Sequence, residues 1–169
     1  MRARGLAAHA GQVDLLAAIA DTFLANGKSV AGYVQKRRKD ADCGTLVHVR
    51  NLRSGDEMPI TRNRGKMAKG CKLDGDALST LASQLSRDVE AGSDVLIIAR
   101  FGRSEAEGRG LRDVISRAMD LEIPVLVGVR DEYRDAWDEF HGGYANALAF
   151  DETAIEDWLA QAPANMVSA

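Results

Sequence analysis

Apolar residues along this chain recur with a period near 2 in some stretches and near 3.6 in others, and the alternation predicts strands and helices in turn. Arg4 to Ala8 is a short apolar run broken by His9-Ala10-Gly11, which predicts a first strand and a tight turn. From Gln12 onward, Val13, Leu16, Ala17, Ala20, Phe23 and Leu24 keep helical spacing until Asn26-Gly27 stops them. Val30 to Val34 is a second strand, closed by the basic run Lys36-Arg37-Arg38-Lys39. Thr45 to Leu52 alternates, with Leu46, His48 and Arg50 on one side and Thr45, Val47 and Val49 on the other. The turn Arg53-Ser54-Gly55-Asp56 then leads into Met58-Pro59-Ile60, so the segment is a β-hairpin. Pro59 has no N–H to give a ladder, which assigns the return strand to an edge. A loop with five bases and two glycines fills Thr61 to Lys72, and Asp74 caps a helix that runs to Ala91 and ends at Gly92.

In the second half, Asp94-Val95-Leu96-Ile97-Ile98-Ala99 is a nearly unbroken apolar run, the pattern of a parallel strand buried on both faces. A glycine-rich loop follows. Leu111, Val114, Ile115, Ala118, Met119 and Leu121 then define an amphipathic helix. Pro124 to Val129 is another buried strand, Asp131 to His141 a helix stopped by Gly142-Gly143, and Ala147 to Phe150 a short strand. Asp151 caps a last helix containing Trp158. This order predicts an α/β fold, a three-layer sandwich with a mostly parallel sheet and an inserted β-hairpin. One domain is expected over residues 1–161, with a loose tail at 162–169.

Composition adds limits. An apolar fraction of 46% and a charged fraction of 28% are globular values. No apolar run approaches the roughly 18 residues of a membrane span and the start has no signal-peptide pattern, so a cytoplasmic protein without membrane association is expected. Cys43 and Cys71 are the two cysteines, expected as free thiols. The net charge of -3 is unevenly spread: Lys36 to Lys72 holds eleven Lys or Arg and four acids. That region has few aromatics among its bases, so nucleic acid is not an expected partner. From Asp131 onward nine acids face the single base Arg134, and an acidic end and a basic middle on one chain suit a homo-oligomer.

Ligands of open parallel sheets bind beyond the carboxyl ends of the strands. Three loops are expected there: His9 to Gly11, Arg100 to Gly110, and Arg130 to Arg134. They carry Arg100, Arg103, Arg109, Arg112, Arg130 and Arg134, some of which must pair with nearby acids. Gly102, Gly108 and Gly110 would let an anion approach backbone N–H groups, and a helix starting near Arg109 would turn its positive end to it. A small anionic ligand is therefore the expected partner, with arginine forks as its grip.

Nucleotide hydrolysis is poorly served. A P-loop needs two glycines four residues apart followed by Lys and Ser or Thr, which reach the phosphates and Mg²⁺. Gly5 and Gly11 are separated by five residues, and Gln12-Val13 stand where Lys-Ser or Lys-Thr belong. Ala99-Arg100 follow Ile97-Ile98, where a magnesium-holding carboxylate would sit. Mg²⁺ is expected only if a nucleotide is bound. A triphosphatase reading would need its lysine from elsewhere, for example Lys66 or Lys69. His9, His48 and His141 are too scattered for zinc, Ser104 is in no nucleophile elbow, and Glu105 and Glu107 are the remaining acid-base candidates.

The run Phe101-Gly102-Arg103-Ser104-Glu105-Ala106-Glu107-Gly108-Arg109-Gly110-Leu111-Arg112-Asp113 resembles the F-G-K-x-E-A-E-G-R-G-L-R-D signature of the bacterial domain-of-unknown-function 2478 family. Gly70-Cys71-Lys72-Leu73-Asp74 is similar to its G-C-R-L-D stretch, and Gly32-Tyr33-Val34-Gln35 to its G-L-V-Q. The resemblance covers roughly Gly5 to Trp158. It implies a degenerate relative of small P-loop nucleoside triphosphatases, often found beside molybdenum-uptake genes, and hence molybdate, a molybdate cluster or a nucleotide phosphate as the oxyanion. It implies no catalytic residue. The implied site comprises Gly102, Arg103, Glu105, Glu107, Gly108, Arg109, Gly110 and Arg112, to which the spacing above adds Arg100, His9, Gly11, Gln12, Lys69 and Arg130. The first loop departs from the family, having His9-Ala10-Gly11-Gln12 where relatives often carry acids.

Overall fold

The computed structural model describes residues 3–6, 12–41, 44–62, 72–149 and 151–161. Its main sheet has seven strands in the order β4-β3-β2-β7-β8-β1-β9. In chain order these are β1 (Ala3–Leu6), β2 (Val30–Asp40), β3 (Gly44–Asn51), β4 (Glu57–Pro59), β7 (Val95–Phe101), β8 (Val125–Val129) and β9 (Ala145–Leu148), while β5 (Thr61–Arg62) and β6 (Lys72–Leu73) form a separate antiparallel pair. Neighbours from β2 through β9 run parallel, and β3 and β4 add an antiparallel extension beyond β2. Pro59 lies in the edge strand β4, where its missing N–H costs no ladder bond.

Helices cover both faces. One face packs α1 (Gln12–Ala25) and α6 (Glu152–Gln161) through Leu16, Ile19, Phe23, Ile155 and Trp158 onto Val30, Val34, Val95, Ile97 and Leu126. The other packs α2 (Gly75–Glu90), α4 (Arg112–Asp120) and α5 (Arg134–His141) through Leu81, Leu85, Val114, Ile115 and Trp137 onto Ala31, Tyr33, Leu96, Ile98 and Val127. β7 and β8 therefore contribute residues to both apolar clusters, which is why their sequences are nearly unbroken apolar runs. The result is a three-layer α/β fold. Among the described residues no helix is long and apolar enough to cross a membrane.

Four expectations change. β2 does not stop at Val34; it continues through the basic run to Asp40 and pairs antiparallel with β3 along Tyr33–Asp40. The predicted hairpin is thus the outer part of a three-stranded meander, because β3 bonds β2 on one side and β4 on the other. The helix expected from Asp131 is split into a 3-10 turn, Asp131–Tyr133, and α5. The ends of the basic loop pair as β5 and β6, with Thr61 opposite Leu73. Cys43, Cys71 and the tail at 162–169 lie outside the described residues.

Gly32 makes the junction of β2 with β7 possible. Its φ is +115°, and a Cβ there would fall 1.9 Å from the Ile97 carbonyl oxygen. Only a residue without a side chain lets the two strands meet.

Candidate anion site

β7 ends at Phe101, a fully buried ring edge-on to Trp137 at 5.3 Å between centroids. The chain then turns through a one-turn helix, α3 (Arg103–Ala106), before α4 begins at Arg112. Glu105 organises this loop. Its carboxylate is almost wholly buried and accepts the Gly102 N–H through Oε2 and the Leu111 N–H through Oε1, each at 3.0 Å. Both ends of the loop are thereby tied to one side chain. Gly108 and Gly110 take positive φ on the way, and the space a Gly110 Cβ would need is held by Glu105 Oε1.

The arginines divide by partner. Arg103 and Arg109 share the Glu107 carboxylate, Arg103 at 2.7 Å, and their hydrogen bonds hold the Glu107 carboxyl below its usual range. Arg112 lies over the Phe140 ring at 4.6 Å from its centroid and donates to the Glu105 carbonyl at 3.4 Å. Arg130 pairs with Glu132 at 2.9 Å and Arg134 with Asp131 at 3.0 Å. Arg100 differs from all of them. Among the described residues its guanidinium has no carboxylate partner and no hydrogen bond, although it is half-buried. Burial first, then the positive charges of Arg130 and Arg37, lower its pKa.

Arg100 opens into a cavity of about 260 Å³ on the α2 side of the sheet. Tyr33 and Gln35 of β2, Val47 of β3, Ile60, Thr61, Leu73 and Leu78 line it together with Gly102, Arg103, Ser104, Glu105, Arg130 and Tyr133. The Tyr33 hydroxyl donates to the Arg100 carbonyl at 3.3 Å, and burial together with the Glu105 charge pushes its pKa up, so it stays a neutral phenol. Gln35 is 7% exposed.

Of the site residues expected from sequence, Arg100, Gly102, Arg103, Glu105 and Arg130 line this cavity. Glu107, Gly108, Arg109, Gly110 and Arg112 belong to the adjoining loop and the start of α4. Gln12 is the first residue of α1, and His9, Gly11 and Lys69 lie outside the described residues. Sequence reasoning missed Tyr33, Gln35 and Tyr133, and set Arg37 aside within a charge run. The signal was available: once β2 is extended, Tyr33, Gln35 and Arg37 fall on one face at period 2. Lys36 and Arg38 face the other way and share Glu57, at 3.0 and 2.8 Å.

Residues from each of the three stretches that carry the family resemblance meet at this cavity: Tyr33 and Gln35, Leu73, and Gly102 to Glu105. The family model described as "Protein of unknown function (DUF2478)" matches residues 6–158. The chain belongs to this family. A relative, the molybdenum import ATP-binding protein ModC 2 of Bradyrhizobium diazoefficiens, is 36% identical over 149 residues, which are 85% of this chain and 16% of that protein. The chain thus spans about one sixth of that curated relative's length. Two solved structures share the fold at 14% identity. A human cancer-related nucleoside triphosphatase superposes with a TM-score of 0.63 over 95% of this chain and 96% of its own. THEP1 from Aquifex aeolicus gives 0.62 over 95% of each chain. The family member described here therefore shares the fold of these two proteins, and Gln12-Val13 follow its Gly11.

Proposed function

We propose that this chain is a non-catalytic oxyanion-binding domain on a degenerate P-loop scaffold, holding molybdate, a molybdate cluster or the phosphate of a nucleotide. The observation that carries this is Arg100, a half-buried cation at the carboxyl edge of the parallel sheet that no acid contacts among the described residues; Glu132, itself paired with Arg130, acts on it only through space. A buried charge is costly unless something compensates it, and a ligand anion would do so. Arginine's planar fork suits a tetrahedral oxyanion. The same position is where magnesium chemistry would require a carboxylate, so a grip is favoured over hydrolysis. The name of the relative from Bradyrhizobium favours molybdate among the anions and a place in molybdenum handling.

The basic segment as a nucleic-acid surface is less well supported. Much of its charge is already used: Lys36 and Arg38 on Glu57, Arg50 on Asp21, Arg53 on Asp88, and Arg62 on Asp74 and Asp76.

Titration calorimetry with molybdate, tungstate, sulfate, ATP and GTP tests the proposal. Arg100→Met should lower affinity for the bound anion between about ten- and hundredfold, the range for losing a charge-assisted bond. If none binds tighter than millimolar, the proposal fails. Phosphate release from ATP or GTP would replace it with an enzyme.

A further inference from the structure

The cavity beside Arg100 is not shaped for an inorganic anion alone. Val47, Ile60, Leu73 and Leu78 give it an apolar wall, and Tyr133 adds a ring to the lining. A hydrated tetrahedral dianion placed against that wall would lose water without gaining donors. At about 260 Å³ the cavity approaches the lower end of small-molecule sites, roughly 300 Å³. The charges of Arg130 and Arg37 both act on Arg100, so these cations lie near one another. Arg37 continues the face of β2 that carries Tyr33 and Gln35, one alternation beyond the cavity, and sits opposite the lining residue Val47.

Among the described residues Arg37, like Arg100, has neither a carboxylate partner nor a hydrogen bond, whereas Arg130 is paired with Glu132. Two guanidinium groups that no described acid contacts, half-buried Arg100 and exposed Arg37, match the nearly two negative charges that a phosphomonoester carries at pH 7. Gln35, almost buried on the same face and hydrogen-bonded to Tyr33, keeps the rest of its amide for a polar ring edge.

We propose that this cavity binds an organic phosphomonoester, its phosphate between Arg37 and Arg100 and its planar or apolar body against Tyr133 and Leu78. The inference rests on the anion-binding reading above and narrows it from any oxyanion to a phosphate carried on a ring. A nucleoside monophosphate and a simple aryl phosphate share this chemistry, and the length of the body separates them.

Calorimetry on the full chain would compare phenyl phosphate, AMP, inorganic phosphate and molybdate. At least one of the two ring-bearing phosphates should bind tenfold or more tighter than inorganic phosphate. Tyr133→Ala, a change at a partly exposed turn, should remove most of that preference by weakening the ring-bearing phosphates far more than inorganic phosphate. Arg37→Met should weaken all phosphates by about tenfold. Preference for AMP over phenyl phosphate assigns a nucleotide, and the reverse assigns a small aryl ester. Equal affinity for inorganic and organic phosphate overturns the inference, as does a preference that survives Tyr133→Ala. Binding of molybdate alone overturns it too, while the anion reading stands. No binding of any anion, with ATP and GTP included, would bring down both.

Discussion

Glu105 and Gly110 are fitted to one another: the carboxylate that closes the loop stands where any side chain at 110 would begin, 2.1 Å from an ideal Cβ. The φ of +68° at Gly110 independently favours glycine. Gly110→Ala should therefore expel the Glu105 carboxylate and leave the Gly102 and Leu111 N–H groups without acceptors. Glu105→Gln tests the same clasp from the other side, because an amide supplies one acceptor oxygen where two N–H groups need two. Each buried N–H left unmet costs about 1–3 kcal/mol. Both variants should lower the urea midpoint and speed amide exchange at Leu111. A Gly110→Ala protein with native exchange at Leu111 would contradict the clasp.

Gly32 should be still less tolerant. A methyl group there meets backbone, not a flexible side-chain end, so β2 and β7 must separate for it to fit. Their separation would disturb the buried faces of Ala31, Tyr33, Leu96 and Ile98 at once. Gly32→Ala is expected to cost more than about 3 kcal/mol, in the range of overpacking combined with forced backbone strain. Chemical denaturation measures it. Because Tyr33 lines the cavity, any variant that does fold should also bind anions more weakly.

The parallel layers were legible in the sequence because β7 and β8 are buried on both faces and leave nearly pure apolar runs. The cap at Asp74 was legible too, since its side chain accepts the Asp76 and Ala77 N–H groups as the sequence order implies. The meander was not. β2 beyond Gln35 is exposed and basic, and its ladder is held by β3, a partner that local composition cannot reveal. That error hid half of the candidate site, because Gln35 and Arg37 become neighbours of Arg100 only when β2 is long. Arginine spacing alone likewise could not tell which guanidinium would be left over. Glu107 takes two of them, and Phe140 supports a third.

That division predicts a contrast within the loop. Arg109 is well exposed and already engaged by Glu107, so its contribution to an anion in the cavity is small. Arg109→Ala should leave anion affinity within about twofold of the parent protein, whereas Arg100→Met lowers it at least tenfold. The two variants, measured side by side by calorimetry, separate a site centred on the cavity from one centred on the loop tip. If Arg109→Ala proves the more damaging, the anion sits on the glycine-rich turn itself.

Acid should weaken the fold in a defined window. Hydrogen bonds from Lys36 to Glu57, from Arg62 to Asp74, from Arg117 to Glu90 and from Arg103 to Glu107 each hold a carboxyl below its ordinary pKa. A carboxyl with a depressed folded pKa binds its proton more readily when unfolded. Its contribution is complete above the ordinary carboxylate range, about 4, and is lost as pH falls through the folded value. The urea midpoint should be flat with respect to these groups between pH 7 and about 5, then decline below about 4.5. Asp74 offers the sharper test because it caps α2 and also receives Arg62. Asp74→Asn keeps an acceptor for the cap but discards the charge. Its stability deficit should be largest at neutral pH and should shrink steadily as the parent protein's own Asp74 becomes protonated. Parallel midpoint curves for the two proteins down to pH 3 would mean that the Arg62 contact contributes nothing to the acid response.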